Sequence, residues 1–287
     1  MRQLGKRLLH FIIPAIIFSV ISIVFYLFGR IRVNSEFKDI SAYECLIMGD
    51  SQMQRINPGN FTVNTYNLAS SAEHFYFTYR KLLNVLKNKD HNIKKIVLGA
   101  APHSFSPVYS RLFDPGSAEG KNSLKRYLYY LDKTSRENFV KFSDLPFRET
   151  AIGVFRKPEW GGLVESEKAD PDIKIVNRTF RMQYAVKGNE DKFSRSQKKY
   201  LNMIEELCSA SNIDLYICST PYHKEYINKI DTRYFDYFYT AIRELKNYYH
   251  IDFLADEISS DLMSDANHLN TFGASRYSKR INEIIEL

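Results

Sequence analysis

Residues 44–53 read ECLIMGDSQM, and this stretch decides the fold. Its first half is a short apolar run of the length of a buried strand, and Gly49 stands where the chain must turn. Similar apolar runs recur along the chain, separated by amphipathic stretches with apolar residues three and four positions apart. The predicted strands are Glu44–Met48, Thr62–Leu68, Ile93–Gly99, Ile213–Ser219 and Ile251–Leu254, and the predicted helices are Ala72–Asn88, Gln197–Ser211, Lys224–Tyr249 and Phe272–Leu287.

This alternation of strands and helices predicts a parallel sheet with helices on both faces, which is a three-layer α/β/α sandwich. In sheets of this kind, the loops that bind ligands lie beyond the carboxyl ends of the strands. Residues 104–196 break the alternation, so we interpret them as an insertion that covers those strand ends. An ordinary surface subdomain is the alternative interpretation of the same residues.

The charge of the chain argues against a nucleic-acid partner. The 287 residues carry 40 Lys+Arg and 33 Asp+Glu, a net charge of +7. Five of the basic residues lie within residues 1–32, which contain no acid, so the rest of the chain has 35 basic and 33 acidic residues. Binding to nucleic acid needs a concentrated basic surface, which a nearly neutral body does not supply.

A membrane anchor is predicted at the start of the chain. Residues 8–28 read LLHFIIPAIIFSVISIVFYLF, 21 positions without a charged side chain, and a helix of that length crosses a hydrocarbon core of about 30 Å. A cleaved signal peptide is the alternative, but the apolar run is longer than the usual ~7–15 residues and no small-x-small cleavage site follows it. We therefore divide the chain into residues 1–32, a cytoplasmic tip and signal anchor, and residues 33–287, the α/β domain.

The anchor also predicts where the domain works. Arg2, Lys6 and Arg7 favour a cytoplasmic N-terminus, although Arg30 and Arg32 oppose it. We therefore expect a single-pass protein of the cell (inner) membrane whose domain is extracytoplasmic, in the periplasm. The three cysteines, Cys45, Cys208 and Cys218, all lie in apolar patterns, which favours buried thiols over a disulfide or a metal site.

A serine follows the first strand directly. Ser51 is delivered at the carboxyl end of a buried strand, where a helix is expected to begin and where backbone N–H groups can stabilise an oxyanion. Gly-Asp-Ser alone is a weak signal, because Asp and Ser are also common in turns and helix caps.

A second motif stands before the last helix, where Asp265 and His268 are separated by three positions. The two side chains can face each other on one turn, and the carboxylate would then fix the imidazole tautomer that accepts a proton from a serine. The alternative is that Asp265 or Asn270 only caps the last helix and His268 packs against it.

These two motifs together resemble the SGNH (GDSL-like) hydrolase family over roughly residues 44–287. The resemblance implies a flavodoxin-like α/β/α fold and ester chemistry, with Ser51 as nucleophile, His268 as general base and Asp265 as its orienting partner. It also implies an oxyanion hole completed by a glycine after the second strand and an asparagine after the third, and neither residue is present here. Ser71, His103 and Ser104 stand near those places and are the candidate substitutes.

The departures resemble those of membrane-anchored members that transfer or remove acyl groups on surface polysaccharides. Tyr222 and His223, which follow the fourth strand, are candidates for sugar contact, or else incidental residues at a helix start. The expected function is therefore a serine esterase or O-acyltransferase acting on O-acyl groups, such as O-acetyl, of a cell-envelope polysaccharide or on a small acyl ester.

A non-catalytic module is the main alternative: it would bind glycan or dock a membrane acyltransferase partner. The altered oxyanion motifs favour it, and the intact Ser51, Asp265 and His268 favour the enzyme. We expect no cofactor and no metal, since no glycine-rich phosphate loop and no third or fourth metal ligand stand at suitable spacing.

Overall fold

The computed structural model describes residues 2–114, 116–127, 172–184 and 193–287. Residues 115, 128–171 and 185–192 of the predicted insertion lie outside the described residues. The described helices are α1 (Arg2–Ile40), α2 (Ser51–Gln54), α3 (Phe75–Val85), α4 (Pro107–Phe113), α5 (Ala118–Tyr127), α6 (Ile173–Tyr184), α7 (Arg195–Ala210), α8 (Lys224–Ile227), α9 (Thr232–Arg243) and α10 (Thr271–Ile285). The strands are β1 (Cys45–Met48), β2 (Thr65–Asn67), β3 (Lys95–Gly99), β4 (Asp214–Ser219) and β5 (Tyr249–Asp252).

In the described part of the chain, these five strands form one parallel sheet in the order β2-β1-β3-β4-β5. Because every neighbouring pair is parallel, all carboxyl ends of the strands meet at one edge. The prediction of a parallel sheet flanked by helices is confirmed. The order reverses between β1 and β3, the kind of switch point at which ligands bind in open α/β sheets.

The two faces of the sheet bury two separate apolar cores. Leu46 and Met48 of β1 point to one face, where α3, α7 and α9 pack, and Cys45 and Ile47 point to the other, where α2 and α10 pack. This follows from the alternation of side chains along a strand that is buried on both faces. The three cysteines are buried free thiols, and burial raises the pKa of Cys45 and of Cys208 to about 12.

Helix α1 has two parts with different surroundings. Residues Ile12–Ile40 are long and apolar enough to cross a membrane, with a mean hydropathy of 2.5 over an 18-residue window, and side chains such as Phe28 and Ile31 are exposed. Near its C-terminal end, Val33, Phe37 and Ile40 are buried in the core shared with α3. The helix is thus a candidate membrane anchor or signal sequence whose last turns belong to the domain.

One predicted helix is wrong. The stretch predicted as a single helix, Lys224–Tyr249, contains two helices, α8 and α9, and its last residue already lies in β5. The break occurs at Asp231, whose side chain accepts a hydrogen bond from the backbone N–H of Arg233 and so caps a new helix.

Two glycines let β1 and β3 approach closely at the carboxyl edge. Gly49 has φ of 122°, a conformation that L side chains rarely adopt. A Cβ on Gly99 would lie 2.1 Å from Cγ of Met53, a buried residue of α2. The strand ends and the serine-bearing helix therefore pack with no space for a larger residue at position 99.

Candidate active site

Ser51 is the first residue of α2, directly after the turn that leaves β1. Asp50 caps this helix, because its Oδ1 accepts a hydrogen bond of 3.0 Å from the N–H of Gln52. The serine is half-buried, so its hydroxyl is held at the sheet edge yet remains accessible.

Asp265 and His268 form one tight turn before α10. Oδ1 of Asp265 accepts backbone N–H bonds from Asn267 and His268, both at 3.0 Å. Nδ1 of the His268 ring lies 2.8 Å from Oδ2 and 3.0 Å from Oδ1 of the same carboxylate. Burial opposes ionisation of Asp265, but the His268 ring and these two N–H donors together lower its pKa below the usual value.

The structure brings Ser51 and His268 together across 217 positions of sequence. Oγ of Ser51 lies 2.7 Å from Nε2 of His268, so a continuous chain runs from carboxylate to imidazole to hydroxyl. An ionised Asp265 only accepts hydrogen bonds, so Nδ1 of His268 carries the proton and Nε2 is left as an acceptor for the serine. This is the arrangement needed to activate a hydroxyl as a nucleophile. Asn270, by contrast, caps α10 through the N–H groups of Phe272 and Gly273.

Gln52 connects the serine turn to the Asp–His turn, a role that no pattern in the sequence predicts. Its side-chain amide donates to the carbonyl of Asn267 at 3.1 Å and accepts from the hydroxyl of Thr220 at 3.1 Å. Nη1 of Arg55 adds a longer bond of 3.4 Å to the carbonyl of Leu269. These contacts fix the distance between Ser51 and His268, because both turns are bound to the same buried side chain.

A cavity of about 340 Å³ opens beside Ser51 and His268. Val108 and Leu112 of α4 and Met182 of α6 form an apolar wall. The remaining lining is mostly polar and comprises Ser51, Gln54, Arg55, Ser71, Ala72, His103, Tyr109, Gln183, Asp265 and His268. Two helices of the predicted insertion thus contribute one side of the site.

Asp50 belongs to a second buried hydrogen-bond network, which was not predicted from the sequence. Oδ2 of Asp50 lies 2.7 Å from Nε2 of His103 and accepts a 2.6 Å hydrogen bond from the hydroxyl of Tyr109. Nδ1 of His103 lies 2.6 Å from the hydroxyl of Tyr222. Burial opposes ionisation of Asp50, but His103, Tyr109 and the N–H of Gln52 lower its pKa to about 2. In the sequence, Asp50 is separated from His103 by 53 positions and from Tyr109 by 59, so no local pattern announces these contacts.

This second hydrogen-bond network corrects the expectation that His103 is a candidate for the oxyanion hole. Its ring lines the cavity, but both nitrogens are already engaged, Nε2 by Asp50 and Nδ1 by Tyr222. An imidazole with both nitrogens bound has no N–H left to donate to an oxyanion. His103 therefore braces the serine turn rather than completing an oxyanion hole.

The other two oxyanion candidates differ from each other. Ser71 is exposed and lines the cavity, with its hydroxyl donating to Oε1 of Gln54 at 2.7 Å. Ser104 is buried and its Oγ accepts from the N–H of Ala101 at 3.2 Å, which closes a 3-10 turn rather than facing the cavity. Next to Ser71, Ala72 has φ of 52°, the left-handed region that favours glycine.

A fully buried ion pair lies beneath the Ser71–Ala72 loop. Nζ of Lys81 contacts the carboxylate of Glu73 and also donates to the carbonyl of Leu68 and the hydroxyl of Ser70, at 2.9 and 2.7 Å. The hydroxyl of Tyr127, in α5, donates to the same carboxylate at 2.9 Å. These bonds hold the loop against α5 and hold Ala72 in its strained conformation.

Tyr222 and His223, the candidates for sugar contact, use their polar side-chain atoms in contacts within the protein. Tyr222 is buried and its hydroxyl meets His103. His223 caps α8, with Nδ1 accepting from the N–H of Glu225 at 3.3 Å and Nε2 lying 3.2 Å from the hydroxyl of Ser260. Its backbone N–H donates to the carbonyl of Ala266 at 3.0 Å, which binds this loop to the Asp–His turn.

Within residues 2–114, 116–127, 172–184 and 193–287, no three His, Cys, Asp or Glu side chains are grouped to hold a metal ion.

Comparison with known proteins leaves the family open. No protein-family model matches this chain, and no curated protein matches it. Among solved structures, one similar chain is described as "a putative platelet activating factor from Streptococcus pneumonia". It shares 11% sequence identity with a TM-score of 0.44, over 90% of this chain and 94% of that chain. A function for this chain is therefore inferred from the geometry of its site.

Proposed function

We propose that this protein is a serine acyl hydrolase or acyltransferase that acts on esters through Ser51. The observation that carries the proposal is the unbroken chain of short contacts from Asp265 through His268 to the Ser51 hydroxyl, at the edge of an open cavity. Nucleophile, base and orienting carboxylate are connected by hydrogen-bond distances.

The reaction has two halves. Oγ of Ser51 attacks the ester carbonyl carbon while Nε2 of His268 takes its proton, and a tetrahedral oxyanion forms. The oxyanion collapses, the C–O bond to the alcohol breaks, and His268 returns the proton to the leaving oxygen. The acyl group now sits on Ser51. Water then attacks to give an acid, or a sugar hydroxyl attacks to give a new ester, with His268 again taking the proton and returning it to Ser51.

The backbone is the proposed source of oxyanion stabilisation. The N–H of Ser51 lies at the start of α2, and the loop at Ser71 and Ala72 lines the same cavity, held in a glycine-like conformation. Backbone donors require no particular side chain, so the missing asparagine and glycine do not forbid the reaction. With His103 engaged elsewhere, the hole has the N–H groups of these two segments as donors.

An O-acyl group of a cell-envelope polysaccharide is the proposed substrate. The wall of Val108, Leu112 and Met182 suits a short acyl chain, and the polar lining opposite suits a hydroxyl-rich alcohol. The apolar helix α1 supports the proposed location of the protein, which spans the cell membrane once and has its domain outside the cytoplasm.

Labelling with a fluorophosphonate tests the chemistry. The full chain in detergent is treated with the reagent and its intact mass is measured; attack by Oγ displaces fluoride and adds the phosphonyl group. We expect one adduct on the wild type, none on Ser51→Ala, and an unchanged adduct on Ser259→Ala, an exposed serine outside the site. A well-folded wild type without an adduct would favour the alternative, a non-catalytic module that docks a membrane acyltransferase.

The same spectrum tests the anchor. We expect a membrane-fraction chain whose mass includes residues 1–32. A mature chain that begins after Arg32 would show a cleaved signal peptide instead.

A further inference from the structure

A second cavity, of about 520 Å³, lies beyond the carboxyl ends of β4 and β5. Residues after β4, residues 254–258 after β5, and helices α8 and α9 enclose it. Its volume falls in the range of about 300–1,000 Å³ that is typical of small-ligand sites, and the carboxyl edge is where open α/β sheets bind ligands.

The apolar part of this cavity is aromatic. Phe235 and Tyr239, both on α9 and half-buried, line it together with Leu254 and Ile258. The hydroxyl of Tyr239 donates to Oδ2 of Asp252 at 2.8 Å, which fixes the ring. Rings held in this way offer flat faces for the C–H groups of a ligand.

The polar part carries both signs of charge. Lys224 and Glu257 line the cavity and are exposed, and neither side chain has a hydrogen-bond or ion-pair partner among the residues that the structure describes. Asp256 is different, because Arg280 and the hydroxyl of Tyr277 already bind its carboxylate. An ammonium donor and a carboxylate acceptor together suit hydroxyl groups, which both accept and donate, and because these two charges balance, the lining does not select an anionic ligand.

A pair of contacting side chains links this cavity to the one at Ser51. Tyr222 lines the second cavity, and its hydroxyl meets His103, which lines the first. The backbone bond from His223 to Ala266 joins the same loop to the Asp–His turn. A ligand in the second cavity is therefore held by the loop that supports the proposed catalytic turn.

We propose that the second cavity is a glycan subsite, which binds a neutral sugar unit of the polysaccharide whose acyl ester is presented to Ser51. The pyranose C–H face lies against Phe235 or Tyr239, and its hydroxyls bind Lys224 and Glu257. This inference rests on the proposed function for the identity of the substrate, but sugar binding requires no reaction at Ser51.

Direct binding tests the subsite. The full-length Ser51→Ala chain in detergent micelles is mixed with four tetrasaccharides, built from glucose, galactose, N-acetylglucosamine or glucuronic acid, and saturation transfer from protein to sugar is measured by NMR. We expect transfer to at least one neutral tetrasaccharide. Glu257→Ala and Lys224→Ala should each weaken that binding about tenfold, because each removes hydrogen bonds to a charged group.

Lys246→Ala is the matched control, since this exposed lysine precedes β5 and lies at the opposite end of that strand. Its binding should equal that of the parent. No transfer to any of the four sugars, transfer to the glucuronic acid oligomer alone, or binding that Glu257→Ala and Lys224→Ala leave intact would each overturn the subsite. Fluorophosphonate labelling of the wild type is read independently, so failure of the subsite and failure of the acyl chemistry are distinguishable.

Discussion

Replacing Asp265 with asparagine should disable the site while leaving its geometry in place. Oδ1 of Asp265 accepts two backbone N–H bonds at 3.0 Å, so this position must remain an oxygen in the variant. The amide NH₂ is then forced into the place of Oδ2, 2.8 Å from Nδ1 of His268. That NH₂ can only donate, so an N–H on Nδ1 would face its hydrogens at the nearer contact, and only the longer contact of 3.0 Å to Oδ1 would remain for it. The variant therefore favours the tautomer in which Nδ1 accepts and the ring proton lies on Nε2, which faces Ser51.

A protonated Nε2 cannot accept the proton of the Ser51 hydroxyl. Loss of the correct tautomer in a serine triad costs about 10⁴ in rate, which corresponds to about 5.5 kcal/mol in the barrier. The assay is the second-order rate constant of fluorophosphonate labelling, followed by intact mass on the full chain. We expect Asp265→Asn to fall by that factor and its thermal unfolding to stay close to that of the wild type.

Asp261→Asn is the matched control, because this exposed aspartate lies in the same loop, just before the Asp–His turn. Its labelling rate should equal that of the wild type. An Asp265→Asn chain that labels as fast as the wild type would refute the assignment of Asp265 as the residue that orients His268.

Three further predictions concern stability, each read from denaturant unfolding of the full chain. Burial lowers the pKa of His74 from 6.5 to about 3, so the contribution of the neutral ring to the free energy of unfolding is complete above pH 6.5 and is lost as the pH falls toward 3. His74→Asn should remove about 2–3 kcal/mol of the acid destabilisation at pH 4.5, and an unchanged pH profile would contradict this. Lys81→Met strands the buried carboxylate of Glu73 and should cost about 3–5 kcal/mol, with partial recovery when Glu73→Gln is added; equal stability of the single and double variants would argue against the pair. Gly99→Ala places a Cβ against Met53 and should cost about 1–3 kcal/mol with slower Ser51 labelling, since Met53 belongs to the serine-bearing helix; a neutral effect would show that the helix yields.

The sequence by itself determined the class of fold, because strand and helix periodicities are local properties. The strand ECLIM and the amphipathic stretch Gln197–Ser211 both show their periodicity within a few residues, and both lie in the predicted kind of element. The segment Lys224–Tyr249 shows the limit of this reasoning. Its apolar spacing is compatible with one helix, but a single cap at Asp231 divides it, and pairing with β4 takes Tyr249 into the sheet.

The pairing of Asp265 with His268 was also predictable, since three residues on one turn bring two side chains into contact. Their roles, with that of Ser51, remain predictions that labelling will test. Their meeting with Ser51 depends on the sheet, which brings the end of β1 and the loop before α10 to one edge.

Only the tertiary structure decided what surrounds these residues. The bond of His103 to Asp50 and the burial of Lys81 against Glu73 join side chains from different loops and helices. No local pattern specifies such contacts, because they depend on how the elements pack and on which polar groups burial forces to find partners. The sequence thus determined the scaffold and the candidate chemistry, and packing decided that His103 is a brace and that a second cavity opens beside the site.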